Sequence, residues 1–220
     1  MTGKLAVFDC DGTLVDGQAD VLWAMKRAFE RAQLTSPDPN EVRRMVGLSL
    51  GVAVRELAPD LDEKQARDVT EFYKSSFRAR REEGLLSEPL YDGIADLLRG
   101  LHEAGWSLAV ATGKSDRGLT ACLAEHGITD LFVSLQTADR HPSKPHPAML
   151  EAALFEAGVQ AEDAVMIGDT SFDMQMAKAA RVHALGVAWG YHEPAELMAT
   201  GANEVARSVA DLAARLEQFG

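Results

Sequence analysis

The residues best placed to do chemistry are the acids in Phe8-Asp9-Cys10-Asp11-Gly12-Thr13-Leu14-Val15-Asp16. Asp9 and Asp11 stand two positions apart at the end of an apolar run, and in extended chain such side chains project to one side. Two close carboxylates cannot both stay ionised unless a cation compensates them. Alone, the pattern also fits an acidic turn closing a strand, because Asp-Gly is a common turn pair. It does not fit a calcium loop that starts at Asp9: the sixth position, where Gly is required, is Leu14, and the twelfth, where Glu is required, is Asp20. A second run, Ala164-Val165-Met166-Ile167-Gly168, also ends in an acid, Asp169, and Asp173 follows four residues later. If a helix begins near Thr170, Asp169 and Asp173 share a side, a costly arrangement without compensation. Two strand ends that each carry an acid pair point to one shared hard cation with oxygen ligands, which suits Mg²⁺.

Two further segments offer groups for an anion. Ala111-Thr112-Gly113-Lys114 leaves another apolar run, where the Thr112 hydroxyl and the Gly113 amide could meet phosphoryl oxygens. Lys144, in Ser143-Lys144-Pro145-His146-Pro147, could supply a cation beside an anionic substrate. Cys10 is read as a buried structural thiol on the opposite face from its neighbours, and His146 as a loop-packing residue. Arg43 and Arg44 either reach a substrate carboxylate or lie on a solvated helix face; Asp16 could cap the helix that follows it.

Short continuous apolar runs, the mark of strands buried on both faces, must position these groups. They are Leu5 to Phe8, Leu108 to Ala111, Leu131 to Val133, Ala164 to Ile167 and Ala184 to Ala188. Helical spacing lies between them: Ile94, Leu97, Leu98, Leu101 and Ala104 with Gly105 as the stop, then Leu150, Ala153, Leu154 and Ala157 with Pro147 at the first turn and Gly158 at the end. Alternation of this kind predicts a three-layer, Rossmann-like α/β core around a mostly parallel sheet. Residues 16–86 break the rhythm. They carry helical stripes at Val21, Leu22, Met25, Phe29 and Ala32, at Val42, Met45 and Val46, and at Ala66, Val69, Phe72, Tyr73 and Phe77. The expected organisation is a core of 1–15 plus 87–220 and a small inserted all-helical cap at 16–86.

The 220 residues hold 22 Lys and Arg against 34 Asp and Glu, a net charge of −12, which argues against a nucleic-acid binder. The two cysteines, Cys10 and Cys122, form no CxxC pair, so neither a disulfide framework nor a zinc pattern is expected. The first apolar run ends at Asp9, too soon for a signal peptide, and none approaches a membrane span. A cytoplasmic enzyme without membrane or nucleic-acid partners is expected; its oligomeric state cannot be read from the sequence.

Asp9 to Thr13, Thr112, Lys144 and Gly168-Asp169-xxx-Asp173, in that order and with a helical insertion after the first strand, resemble the four motifs of the haloacid dehalogenase superfamily in its capped phosphatase branch. Gly47-Leu48-Ser49-Leu50 and Val187-Ala188-Trp189-Gly190-Tyr191 are similar to segments of its phosphoglycolate-phosphatase-like group. The resemblance implies a Mg²⁺-dependent phosphatase of a small phosphorylated metabolite. By it, Asp9 is the nucleophile that forms an aspartyl-phosphate, and Asp11 the general acid and base. Thr112, Gly113 and Lys144 bind the phosphoryl group. The metal ligands are Asp9, Asp169, Asp173 (directly or through water) and, through its backbone carbonyl, Asp11. Retention of Asp11 argues against a dehalogenase or a phosphonate-cleaving relative. A phosphomutase like β-phosphoglucomutase shares the catalytic set, but Leu50 stands where mutases carry a charged residue. A pyrophosphatase or nucleotidase of the same superfamily would also fit the motifs. A regulatory module phosphorylated on Asp9 would be shorter and would lack both the cap and the adjacent acid.

Overall fold

The computed structural model describes residues 3–219. Strands β1 (Leu5–Phe8), β2 (Ser107–Thr112), β3 (Phe132–Thr137), β4 (Ala164–Gly168), β5 (His183–Val187) and β6 (Glu204–Ala206) form one sheet in the order β3-β2-β1-β4-β5-β6. Every pairing in it is parallel. Phe8 stands beside Val110 of β2 and Ile167 of β4, so the ends of β1 and β4 lie next to each other. In a doubly wound sheet of this order, β1 and β4 flank the point where the winding reverses, and the crevice beyond their carboxyl ends is where ligands bind.

Alternate residues of each strand enter different cores, which is why the central strands read as unbroken apolar runs. Ala6, Phe8, Leu108, Val110, Val165 and Ile167 pack on one side with α5 (Ile94–Glu103), α6 (Asp116–Glu125) and α10 (Val209–Gln218). Leu5, Val7, Ala109, Ala111 and Met166 pack on the other with α7 (Ala148–Ala157), α8 (Ser171–Ala180) and α9 (Pro194–Thr200). Between β1 and α5 lie α1 (Gln18–Arg31), α2 (Pro39–Arg44), α3 (Leu50–Leu57) and α4 (Glu63–Glu82). Met25, Phe29, Val42, Val54, Ala66 and Val69 give these four helices a hydrophobic core of their own. Their two connections to the sheet run side by side, where Asp16 N donates to Pro89 O at 2.8 Å and Tyr91 N to Leu14 O at 3.0 Å. No helix among the described residues is long and apolar enough to cross a membrane.

Several local expectations are corrected. The third strand begins at Phe132 and runs to Thr137, beyond the apolar run, because its buried positions include Ser134 and Gln136. These satisfy each other, Gln136 Nε2 donating to Ser134 Oγ at 2.7 Å, and Ser134 Oγ donates on to Glu156 at 2.6 Å. Pro147 is the residue before α7 rather than its first helical position. Gly17 occupies the position before α1, while Asp16 accepts a hydrogen bond from Gln18 N at 3.2 Å. Neither α3 nor the three-residue β6 was expected.

Candidate active site

Asp9 continues the β1 ladder, its amide donating to Ile167 O at 2.9 Å, so its side chain emerges at the β1/β4 crevice. Its Oδ1 accepts from Cys10 N at 2.7 Å and pairs with Lys144 Nζ at 2.9 Å. Its Oδ2 is buried without a hydrogen-bond partner. The chain then turns tightly through Gly12, whose φ of 82° lies in the left-handed region and whose hydrogen faces the Asp169 carboxylate where any Cβ would collide. Thr13 follows and donates from Oγ1 to Asp169 Oδ1 at 2.8 Å.

Asp169 is fully buried at the end of β4. Its second oxygen accepts from Tyr191 N at 2.8 Å, and Gly190 passes so close that a Cβ there would overlap the carboxylate. Thr170 caps α8 in a reciprocal box, and its amide and hydroxyl donate to Asp173 Oδ2 at 3.1 and 2.7 Å. Asp173 Oδ1 accepts from Lys144 Nζ at 2.6 Å. The outcome is a buried trio, Asp9, Asp169 and Asp173, with one oxygen from each lying within 4.8 Å of the others.

Burial pushes the Asp9 carboxyl up to about 7; Lys144 pulls it down and Asp173 pushes it further up. Burial also holds the Asp169 carboxyl well above the usual carboxylate range, with Asp9 and Asp173 adding to the effect. Burial works against the Lys144 ammonium, but Asp173 and Asp9 outweigh it, so its pKa lies above the ordinary lysine value. Of the three carboxylates Lys144 pairs with Asp9 and Asp173, Asp169 accepts only from neutral donors, and Asp9 Oδ2 has no hydrogen-bond partner. A hard divalent cation among these oxygens would remove both the charge excess and the orphaned acceptor. The donor set therefore fits a hard divalent cation.

The Asp11 side chain does not join the trio. It pairs with Lys114 Nζ at 2.9 Å, and the same ammonium donates to Glu88, whose side chain is 1% exposed. Burial raises the Asp11 carboxyl above its ordinary value against the pull of Lys114, while Glu88 pushes it up. Thr112 is buried at the end of β2. Gly113 lies under the four-helix unit, where an added Cβ would meet Leu48 O at 2.5 Å and Gly47 O at 2.7 Å. The helical unit is held down at two more places: Ser49 N donates to Ser143 Oγ at 2.9 Å, and Arg44 makes a two-pronged pair with Glu196 at 2.8 and 3.2 Å. Between this unit and the sheet edge is a cavity of about 490 Å³, reached by Asp11, Thr112, Gly113 and Lys114.

Arg43 and Arg44 thus face neither cavity nor trio. Arg43 donates to Asn40 on its own helix at 2.8 Å, and Arg44 joins the helical unit to α9. His146 is exposed and accepts from Ala148 N through Nδ1 at 3.2 Å. Cys10 is buried in the core, as is Cys122. Sequence reasoning missed Thr13, Thr170, Glu88 and the role of Lys114. Gly190 and Tyr191, read there only within a family-like segment, turn out to be the backbone behind Asp169. Only Thr170, three residues before an acid at a helix start, carried a local signal, that of a capping box.

A model of haloacid dehalogenase-like hydrolases matches residues 6–187. The chain belongs to this family. Among similar proteins, "Probable phosphatase IndB" of Dickeya dadantii is 34% identical over 201 residues, covering 89% of this chain and 85% of its own. A phosphoglycolate phosphatase of Vibrio vulnificus is 30% identical over 221 residues, covering 95% and 94%. The crystal structure of a phosphatase from Clostridium acetobutylicum, named as such by prediction, superposes with a TM-score of 0.88 at 25% identity, covering 99% of this chain and 100% of its own. A hydrolase from Pseudomonas syringae shares the fold with a TM-score of 0.87 at 23% identity, each chain covered in full.

Proposed function

We propose that this hydrolase cleaves phosphomonoesters through an aspartyl-phosphate on Asp9, with Mg²⁺ as its metal. The observation that carries the reading is the buried trio with Lys144 at the β1/β4 crevice, and Asp11 two residues on at the mouth of the cavity. The Asp9, Asp169 and Asp173 carboxylates would hold the ion, with the Asp11 carbonyl as the remaining protein ligand. A bound Mg²⁺ supplies charge neutralisation for the carboxylates and for the phosphoryl oxygens.

The residues of this chain divide the remaining work. An Asp9 carboxylate oxygen attacks phosphorus, forming an acyl-phosphate bond as the ester P–O bond breaks. Asp11, with its raised pKa, gives its proton to the departing alkoxide. The Asp11 carboxylate then takes a proton from water, whose oxygen bonds to phosphorus; inorganic phosphate leaves and Asp9 is regenerated. Lys144, the Thr112 hydroxyl and the Gly113 amide orient the transferring group and offset its charge. In this reading the four-helix unit is the cap, which excludes bulk water while it rests on Gly113 and Ser143. 2-Phosphoglycolate, named by relatives such as the Vibrio vulnificus protein, is the reference substrate against which others are measured.

Para-nitrophenyl phosphate tests the reading. Turnover is expected with Mg²⁺ and should stop with a chelator. Asp9→Asn should lower it by on the order of 10³-fold or more. An Asp9→Asn enzyme that turns over like the wild type would overturn the assignment.

A further inference from the structure

The cavity at Asp11 is larger than a glycolate leaving group requires. Its volume of about 490 Å³ equals roughly sixteen water volumes at ~30 Å³ each. One end is formed by Asp11, Thr112 and Lys114; the long wall is α4. Two columns of α4 residues at four-residue spacing face the space, Tyr73-Phe77-Arg81 and Thr70-Lys74-Arg78. The Tyr73 and Phe77 rings stack, with centroids 5.2 Å apart and an interplanar angle of 28°. Tyr73 and Phe77 line the same cavity as Asp11, and burial first, then the Asp11 charge, raises the Tyr73 phenol's pKa.

The chemistry of the lining narrows the occupant. It contains no Asn, Gln, Glu or His, and its carboxylates are Asp11 and Asp139, so a polyhydroxylated sugar would find few acceptors. Lys74, Arg78, Arg81 and Arg117 are among the lining residues in a protein whose net charge is −12, and Arg81 pairs with Glu88 at 3.6 Å. Arg78 and Arg117 are exposed and form no ion pair among the described residues, and the Lys74–Glu71 pair at 3.0 Å is solvent-exposed.

Given the phosphomonoesterase reading, we infer that the leaving group of the natural substrate is a flat, largely apolar body bearing a second anionic group, its flat face against Tyr73 and Phe77 and its anion toward Lys74 and Arg78. Lys74 and Arg78 are then specificity residues, and neither pairs with Asp9 or Asp11, whose ammonium partners are Lys144 and Lys114.

Non-hydrolysable phosphonates test this apart from turnover. Calorimetric titration with Mg²⁺ present compares 4-carboxybenzylphosphonate, benzylphosphonate and the glycolate-sized 3-phosphonopropionate. The wild type is expected to bind the first about tenfold more tightly than either of the others. Lys74→Gln combined with Arg78→Gln should erase its advantage over benzylphosphonate and leave the affinity for benzylphosphonate itself unchanged. Tightest binding of 3-phosphonopropionate, absence of binding by any of the three, or a preference that survives the double substitution would overturn the inference. Failure to hydrolyse para-nitrophenyl phosphate, with the binding preference intact, would overturn the phosphatase reading alone.

Discussion

Asp9, with a carboxyl pushed up to about 7 first by burial, makes the metal-free protein sensitive to pH in a direction that can be worked out. An unfolded Asp titrates near 3.8, so between about 4 and 7 the folded state keeps a proton that the unfolded chain has lost. Stability from this group therefore falls as pH rises through that window and recovers on acidification. In chelator, wild type should gain on Asp9→Asn by up to about 3 kcal/mol between pH 8 and pH 5, since each pH unit inside the window is worth about 1.4 kcal/mol. Denaturant midpoints at the two pH values check this; parallel shifts in both proteins would contradict it. Lys114 allows a second prediction. Lys114→Met frees Asp11 from its partner, and general-acid help matters most for poor leaving groups. The loss with phenyl phosphate should exceed that with para-nitrophenyl phosphate by about tenfold, whereas equal losses would mean that Lys114 does not position Asp11. Asp9, Asp169 and Lys144 were legible because each sits beside an apolar run or a proline-marked loop. Glu88 was not: an acid between Ser87 and Pro89 has no periodicity, and only the fold brings it to Lys114.

At the scale of elements, the loop after β5 does more than close a strand. Gly190 and Gly12 press on the Asp169 carboxylate from two sides, and Tyr191 N holds one of its oxygens. Gly190→Ala should cost about 1–3 kcal/mol through overpacking and weaken Mg²⁺ binding with it. Gly100→Ala, on α5 where nothing lies within 4 Å of an added Cβ, should instead stabilise by about 0.5–1 kcal/mol. Thermal unfolding of the two variants with and without Mg²⁺ distinguishes them. β1 and β4 were readable because both faces of each are buried and apolar. β3 was only partly readable, since Ser134 and Gln136 meet their hydrogen-bonding needs inside the fold and look exposed in the sequence. Arg44 lies on the exposed helix face that was one of its two expected places, but its partner Glu196, 152 positions away, could not be read.

For the whole molecule, the excess of acid over base at the trio predicts that Mg²⁺ stabilises the fold as well as its activity. At about one hundred times its dissociation constant the ion should add about 2.7 kcal/mol, a rise of about 5–10 °C in Tm at this chain length. Asp169→Asn should abolish most of that rise; an unchanged rise would place the ion elsewhere. The sheet order carries one more consequence. β1 is synthesised first, yet its neighbour β4 is made more than two-thirds of the way along the chain, where Ala164 pairs with Leu5. A nascent chain therefore holds the strand that leads into Asp9 half-partnered through most of translation, and the like-charged carboxylates meet only once the sheet has closed around them. A fragment ending before Ala164 should not assemble a stable core, however complete its helices.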